Sequence, residues 1–159
     1  SPNEKGKDIK LVNADGVGSV KKQCTEEGIC FAFVVPTEGV DCTQMVNAEK
    51  CRQDGYNYYT TFYLPYGNSS NKLVTAHILC HEADMRLATI QELRDIVSSM
   101  GGEYFAQQAG KYGSNYFACS LAGVTDTRGL NGYNNANGTI QLQSSLDTDM
   151  VGVCVGSDD

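Results

Sequence analysis

The chain has 159 residues, of which 41% are hydrophobic, and a formal net charge of -7 at pH 7. This length fits one domain, with or without an N-terminal extension. The hydrophobic content argues against disorder, and no apolar run is long enough to span a membrane. The acidity gives no general attraction for nucleic acid or anionic lipid, so we expect neither nucleic-acid binding nor membrane insertion.

Seven cysteines are many for a cytosolic protein and ordinary for a secreted one, because disulfides persist in oxidising compartments. We therefore expect an extracellular or cell-surface location. The count is odd, so at least one thiol stays outside intramolecular pairs, and spacing alone does not fix the pairing. The sequence has no Cys-x-x-Cys step, which disfavours paired zinc knuckles.

The N-terminal part, residues 1–55, is polar and glycine-bearing with two candidate strands. Asp8–Val12 alternates between polar and apolar residues, and Ile29–Val35 is a continuous apolar run typical of a buried strand. Residues 37–55 are polar and hold two cysteines, which favours a loop or a short helix. We expect residues 1–55 to be part of, or packed on, a main domain formed by residues 56–159.

Two amphipathic helices follow an aromatic-rich segment, Tyr56–Tyr66, that we interpret as a strand. The first helix begins after Ser70 or Asn71. Its apolar stripe has the spacing i, i+3, i+4, i+7 at Ala76, Leu79, Cys80 and Ala83. The second helix begins at the capping box Thr89-Ile90-Gln91-Glu92 and ends at Gly101-Gly102.

After residue 102 the pattern favours short strands and long loops. We predict a strand over Asn115–Leu121 and a long polar loop over residues 122–138. Thr139–Gln143 and Met150–Val155 both alternate, and the polar residues between them indicate a hairpin. Strands followed by two adjacent helices and more strands indicate an α+β domain.

The stretch from Cys80 to Leu93, CHEADMRLATIQEL, resembles the signature of bacterial domains related to the C-terminal domain of the Legionella collagen-like adhesin, a group once labelled DUF1566. Val151–Val155 is similar to the last strand of those domains. The group is similar in fold to C-type lectins. Over residues 56–156, the resemblance therefore implies a C-type-lectin-like fold with a mostly antiparallel twisted sheet, long loops and disulfide staples. Such a fold pairs a helix cysteine with a late-strand cysteine, which implies a bond between Cys80 and Cys154.

With that pair assigned, the close spacings favour Cys24 with Cys30 and Cys42 with Cys51, leaving Cys119 over. The apolar neighbours of Cys119 are expected to raise its pKa, so we do not expect a nucleophilic thiol. No other catalytic constellation is evident, and we expect a protein that is not an enzyme.

Metal binding has two candidate sets of residues. His77 and His81 have helical i, i+4 spacing, but Ile78 stands where the metalloprotease pattern needs Glu, so we expect ordinary histidines. Oxygen ligands suited to calcium lie late in the chain. They are Asp126, Asn131, Asn134, Asn135, Asn137, Asp147 and Asp149. No calcium-lectin triplet is present, so we expect no cofactor and keep calcium as an alternative.

Residues 111–138 combine tyrosines with asparagines, a mixture typical of recognition surfaces. The candidate ligand-binding residues are Tyr112, Asn115, Tyr116, Arg128, Asn131, Tyr133, Asn134, Asn135 and Asn137. We predict a secreted or cell-surface recognition or adhesion module that binds a glycan or a host or bacterial surface protein. Sulfated glycans are disfavoured because Lys111 and Arg128 are the only Lys or Arg residues after residue 102. The alternative is a self-assembling subunit of a bacterial surface filament, pilin-like or at a pilus tip, that lacks its N-terminal hydrophobic helix.

Overall fold

The computed structural model describes residues 12–16, 18–37, 72–120, 130–143, 145 and 148–156. Within them the chain is α+β, with three helices and a mixed sheet of seven strands. The helices are α1 (Lys72–Glu82), α2 (Ile90–Met100) and α3 (Gly102–Tyr112). The strands are β1 (Gln23–Cys24), β2 (Cys30–Val34), β3 (Arg86–Leu87), β4 (Tyr116–Cys119), β5 (Leu130–Asn134), β6 (Thr139–Gln143) and β7 (Val151–Gly156). The predicted strand over Tyr56–Tyr66 lies outside the described residues. So does the predicted strand over Asp8–Val12, except for Val12 itself.

Strand β7 lies in the middle of the sheet, whose order is β1-β2-β7-β4-β5-β6. All five residues of β2 pair antiparallel with Gly152–Gly156 of β7 along one edge. On the other edge, β4 pairs in parallel with the start of β7 and β3 pairs antiparallel with its end. Ala88 continues this edge, since its N–H donates to Val153 O and its C=O accepts from Ser120 N–H, both at 2.8 Å. β1 and β2 therefore share one sheet with strands from the second half of the chain.

The sheet is covered by helices on both faces. Alternate strand residues point to opposite faces, so β7 directs Cys154 towards α1 and Val153 towards α2 and α3. α1 contributes Leu73, Ala76 and Leu79 to the first apolar cluster. α2 and α3 contribute Leu93, Ile96, Phe105 and Ala109 to the second. The arrangement is a three-layer α/sheet/α sandwich within the described residues.

The two predicted helices are confirmed, with a wider buried surface on the first. α1 buries Thr75 and His77 as well as Ala76, Leu79 and Cys80 of the predicted stripe, whereas Ala83 follows the end of the helix and is half-buried. At the start of α2 the capping box is complete: the Glu92 N–H donates to Thr89 Oγ1 at 3.2 Å, and the Thr89 N–H donates to Glu92 Oε1 at 2.8 Å. Both groups satisfy helix-start donors that would otherwise lack partners.

Helix α3 corrects the prediction of strands and loops after residue 102. Gly101, at φ 87°, ends α2 by donating its N–H to Val97 O, and α3 begins at the next residue. Phe105 and Ala109 lie one turn apart and are buried against the sheet. This burial stabilises a helix whose own glycines disfavour it.

The hairpin near the C-terminus also differs from the prediction. β6 pairs antiparallel with β5 over five consecutive residue pairs, and not with β7, whose edges are occupied by β2, β3 and β4. The turn is residues 135–138, where Gly138, at φ 70°, donates its N–H to Asn134 O at 2.8 Å. The predicted loop over residues 122–138 is therefore wrong for Leu130–Asn134, which form β5.

Two predicted disulfides are confirmed. Cys24 and Cys30 are opposite each other on β1 and β2, and Cys80 of α1 is bonded to Cys154 of β7. The predicted Cys42–Cys51 bond lies outside the described residues. Cys119 is a free cysteine and is fully buried.

The Cys119 thiol is expected to resist alkylation in the folded protein. Burial raises its pKa to about 12, so the reactive thiolate is scarce at pH 8. Iodoacetamide treatment followed by peptide mass mapping should leave Cys119 unmodified in buffer and modified in denaturant. Equal modification in both conditions would contradict the burial of this thiol.

Candidate functional site

The β5–β6 hairpin, residues 130–143, carries most of the predicted ligand-binding asparagines, and we call it the amide hairpin. Asn134 and Asn137 lie at its turn with Asn135 between them. The Asn135 N–H donates to Asn115 O at 2.8 Å, so the connection between α3 and β4 lies against this turn. The fold thus brings four of the nine candidate residues together at one end of the sheet.

The side chains of Asn134 and Asn137 build the turn. Asn134 Oδ1 accepts from the Ala136 N–H at 2.9 Å. Asn137 Oδ1 accepts from the Thr139 N–H at 3.2 Å and from its hydroxyl at 2.7 Å. Asn137 Nδ2 donates to Gln141 Oε1 at 3.1 Å. These local side-chain bonds fix the backbone of the turn, as Asn side chains commonly do.

Asn115 and Asn135 are joined to each other by a main-chain hydrogen bond and not by their side chains. Their side-chain amides have no hydrogen-bond partner among the described residues, and Asn115 is exposed while Asn135 is half-buried. Each amide offers two donor hydrogens and an acceptor oxygen. The turn therefore holds two available amides on a fixed backbone, which lowers the entropy cost of binding.

Tyr116 supports the hairpin from the α1 face of the sheet. Its ring lies against Gly132, and its hydroxyl donates to Gln141 O at 3.1 Å. The side chain is buried, and burial raises the pKa of the phenol well above its usual range. Tyr116 therefore holds β6 in place and is not a ligand-facing group.

Three other candidate residues lie away from this turn. Tyr133 is only 5% exposed and belongs to the cluster under α2 and α3. Asn131 is two residues earlier on β5, so it shares that face. Tyr112 ends α3, where its hydroxyl donates to Asp15 Oδ2 at 3.3 Å and burial raises its pKa to about 12. Arg128 lies outside the described residues.

Sequence reasoning missed the contribution of β6. Thr139, Gln141 and Gln143 lie on the same face of the strand, opposite Ile140 and Leu142. The alternation Thr-Ile-Gln-Leu-Gln was the available signal, because it places the three polar side chains on one face. These residues extend the amide surface along the α1 face of the hairpin.

The amide hairpin is also electrically neutral. No Asp, Glu, Lys, Arg or His stands between Arg128 and Asp147, although the whole chain has a formal net charge of -7. A neutral surface rich in amides recognises its ligand by hydrogen bonds and contact area, with little contribution from ion pairing. This chemistry suits sugar hydroxyls or peptide groups.

Comparison with known proteins found no relative. No family model matches the chain, and no curated protein or solved structure matches it.

A separate cleft of about 370 Å³ opens at the end of β7, lined by Gly28–Cys30, Val155–Gly156, Arg86 and Glu92. Arg86 donates from both terminal nitrogens to the Glu92 carboxylate, at 2.7 and 2.8 Å. The pKa of Glu92 is lowered to about 2, mainly by the hydrogen bonds from the Arg86 guanidinium. Glu92 is also part of the capping box of α2. The Arg86–Glu92 ion pair therefore stabilises the start of this helix.

The predicted metal candidates are not assembled into a centre by the described residues. His77 is buried and His81 is exposed, and Cys80 between them is in a disulfide. Asp149 forms an ion pair with Lys72 at 2.9 Å. Asp126 and Asp147 lie outside the described residues. Within the described residues, no three His, Cys, Asp or Glu side chains are grouped around a possible ion.

His77 is expected to make stability depend on pH. Burial lowers its pKa from 6.5 to about 3, so the folded protein keeps the ring neutral while the unfolded chain takes up a proton. Stability contributed in this way is complete above pH 6.5 and falls by up to about 1.4 kcal/mol per pH unit as the pH drops towards 3. Urea unfolding between pH 6.5 and 4.5 should show this slope, and His77→Gln should flatten it. The control is His81→Gln, because His81 is exposed. An unchanged slope in His77→Gln would contradict the conclusion that His77 stays neutral in the folded protein.

None of the helices described here combines the length and apolar character that a membrane span requires.

Proposed function

We propose that this protein is a non-enzymatic recognition or adhesion module, secreted or displayed on a cell surface, that binds a neutral glycan through the amide hairpin. The observation that carries the proposal is that Asn115 and Asn135 meet at one hydrogen-bonded turn of a hairpin that has no charged residue. Sugar hydroxyls are both donors and acceptors, as are side-chain amides. The two kinds of group can therefore form paired hydrogen bonds without a charge on either side.

A C-type-lectin-like fold is part of this proposal, and two features support it. The early strand β2 pairs antiparallel with the last strand β7, and a cysteine of the first described helix is bonded to a cysteine of that last strand. The resemblance to the adhesin-related domains implies the second of these features. The sheet then acts as a frame that presents the amide hairpin at one end.

An extracellular location is consistent with the two described disulfides, because such bonds persist in oxidising compartments. The proposed binding uses amide groups alone, so it does not require calcium. Chelation of divalent ions is therefore expected to leave ligand binding unchanged.

The test is binding to an array of neutral and sulfated glycans and of surface proteins. We expect binding to neutral glycans, and Asn115→Ala and Asn135→Ala should each weaken it by about tenfold, the effect of losing one or two hydrogen bonds. Asn131→Ala is the matched control, because it removes the same amide four residues before Asn135, near the end of β5 that is far from the turn.

Two results would contradict the proposal. One is the absence of any neutral glycan among the ligands, and the other is an equal loss of binding in Asn131→Ala and Asn135→Ala. Binding confined to proteins would favour the surface-protein ligand instead. The filament subunit stays an alternative hypothesis, which isolation of intact filaments from the source cells would test.

A further inference from the structure

Strand β6 is at an edge of the sheet. Of the described residues, only those of β5 pair with it, so one row of its backbone N–H and C=O groups faces away from the sheet. Such a row is a template for pairing with another strand. Proteins usually block it with Lys, Pro or a β-bulge. The sequence Thr-Ile-Gln-Leu-Gln has no Lys or Pro, and its register with β5 is continuous, without a bulge.

The charge distribution favours contact at this edge. Two copies of a chain with net charge -7 repel each other, so they approach most easily through a neutral surface. β6 lies inside the uncharged segment between Arg128 and Asp147. Its Leu142 side chain is 64% exposed, more than any other large apolar side chain of the described residues. Contact with a second copy would remove this side chain from water.

The sequence of β6 is also complementary to itself. An antiparallel pair centred on Gln141 places Gln141 opposite Gln141 of the second copy. Ile140 is then opposite Leu142, and Thr139 is opposite Gln143. Ile140 and Leu142 share one face of the sheet, and the three polar residues share the other. Apolar side chains therefore meet apolar ones and polar side chains meet polar ones on both faces of the pair.

We propose that β6 is a homodimer edge, at which two copies of this chain join their sheets antiparallel about Gln141. The contact is isologous, since each copy uses the same strand, and it closes at two copies. The dimer does not depend on the proposed glycan ligand, so the two proposals fail or succeed separately.

The sharpest test is a cysteine at the symmetry position. Directly opposite residues of antiparallel strands have Cα atoms about 4.5–5.5 Å apart, a separation that a disulfide spans. Gln141→Cys is expected to form a covalent dimer under mild oxidation. Thr139→Cys is the matched control, because its opposite residue is Gln143 and not a second cysteine. A mixture of the Thr139→Cys and Gln143→Cys variants should again form a crosslink.

The second test is sedimentation of the unmodified chain over micromolar to millimolar concentrations, which should show a monomer–dimer equilibrium. Leu142→Lys places charges near the symmetry axis and is expected to weaken dimerisation by about tenfold or more. Val12→Lys replaces the other exposed large apolar side chain and should leave dimerisation unchanged.

The proposal is overturned if the unmodified chain sediments as a monomer throughout. It is also overturned if Gln141→Cys crosslinks no faster than Thr139→Cys. A monomer that binds an extended peptide along β6 would likewise exclude the homodimer and assign the edge to strand addition by another protein.

Discussion

Replacement of both Cys80 and Cys154 by Ala is expected to lower the free energy of unfolding by about 4 kcal/mol. The bond joins residues 74 apart in sequence, so its loss frees a long loop in the unfolded chain. Both cysteines are fully buried between α1 and β7. Alanine fits each position without exposing a polar group, so the measured loss is expected to come mainly from the crosslink.

The matched control is the double replacement of Cys24 and Cys30. These residues are only 6 apart in sequence, and their bond is expected to contribute about 2 kcal/mol. Urea unfolding of the two double variants and the unmodified chain under oxidising conditions measures the difference. A loss in the Cys80 and Cys154 variant no larger than in the control would contradict a dominant role for the long-range bond.

Gly132→Ala is expected to destabilise the protein by about 2–3 kcal/mol, the cost of overpacking a closely packed site. A Cβ at this position would lie 2.4 Å from Phe117 O and 2.7 Å from Tyr116 Cζ. The first of these neighbours is backbone, so the clash cannot be relieved by a side-chain rotation. β5 must then move away from β4, and the Tyr116 hydroxyl loses its contact with Gln141 O.

Gly110→Ala is the control for this prediction. Gly110 lies in α3, and a Cβ there meets no atom within 4 Å. Alanine favours a helix over glycine, so the control should stabilise the protein by up to about 1 kcal/mol. Thermal unfolding of both variants measures the two opposite shifts, and similar melting temperatures for both would show that the Gly132 contact is absent.

The features that the sequence predicts correctly have short-range causes. The capping box of α2 depends on two residues three apart, Thr89 and Glu92, and the apolar run of β2 is continuous. The Cys24–Cys30 bond is also local. The Cys80–Cys154 bond is long-range, and only the resemblance to a known family implies it.

The errors have a common cause in contacts distant along the chain. The sequence does not predict α3, because Gly101-Gly102 indicates a helix end, whereas the burial of Phe105 against the sheet favours a new helix. For Leu130–Asn134 the sequence predicts a loop, because the asparagines there favour turns. This segment forms a strand because β4 offers a pairing edge and Gly132 leaves room for the ring of Tyr116.

The candidate site was predictable in composition but not in arrangement. The sequence points to the asparagines around residue 135, which the fold groups at one turn, and also to Tyr133, which is buried beneath α2 and α3. One residue of shift along a strand exchanges its two faces. The register of β5 with β4 therefore decides which side chains reach solvent, and no local pattern in the sequence gives this register.

The bond between Cys80 and Cys154 also fixes how the protein carries mechanical tension. If the chain is pulled from its two ends, the covalent path runs to Cys80, crosses the sulfur bridge and leaves from Cys154. Residues 81–153 lie in a closed loop beside this path. The loop contains α2, α3 and the amide hairpin, so a pull on the molecule does not stretch the surface proposed to hold its ligand.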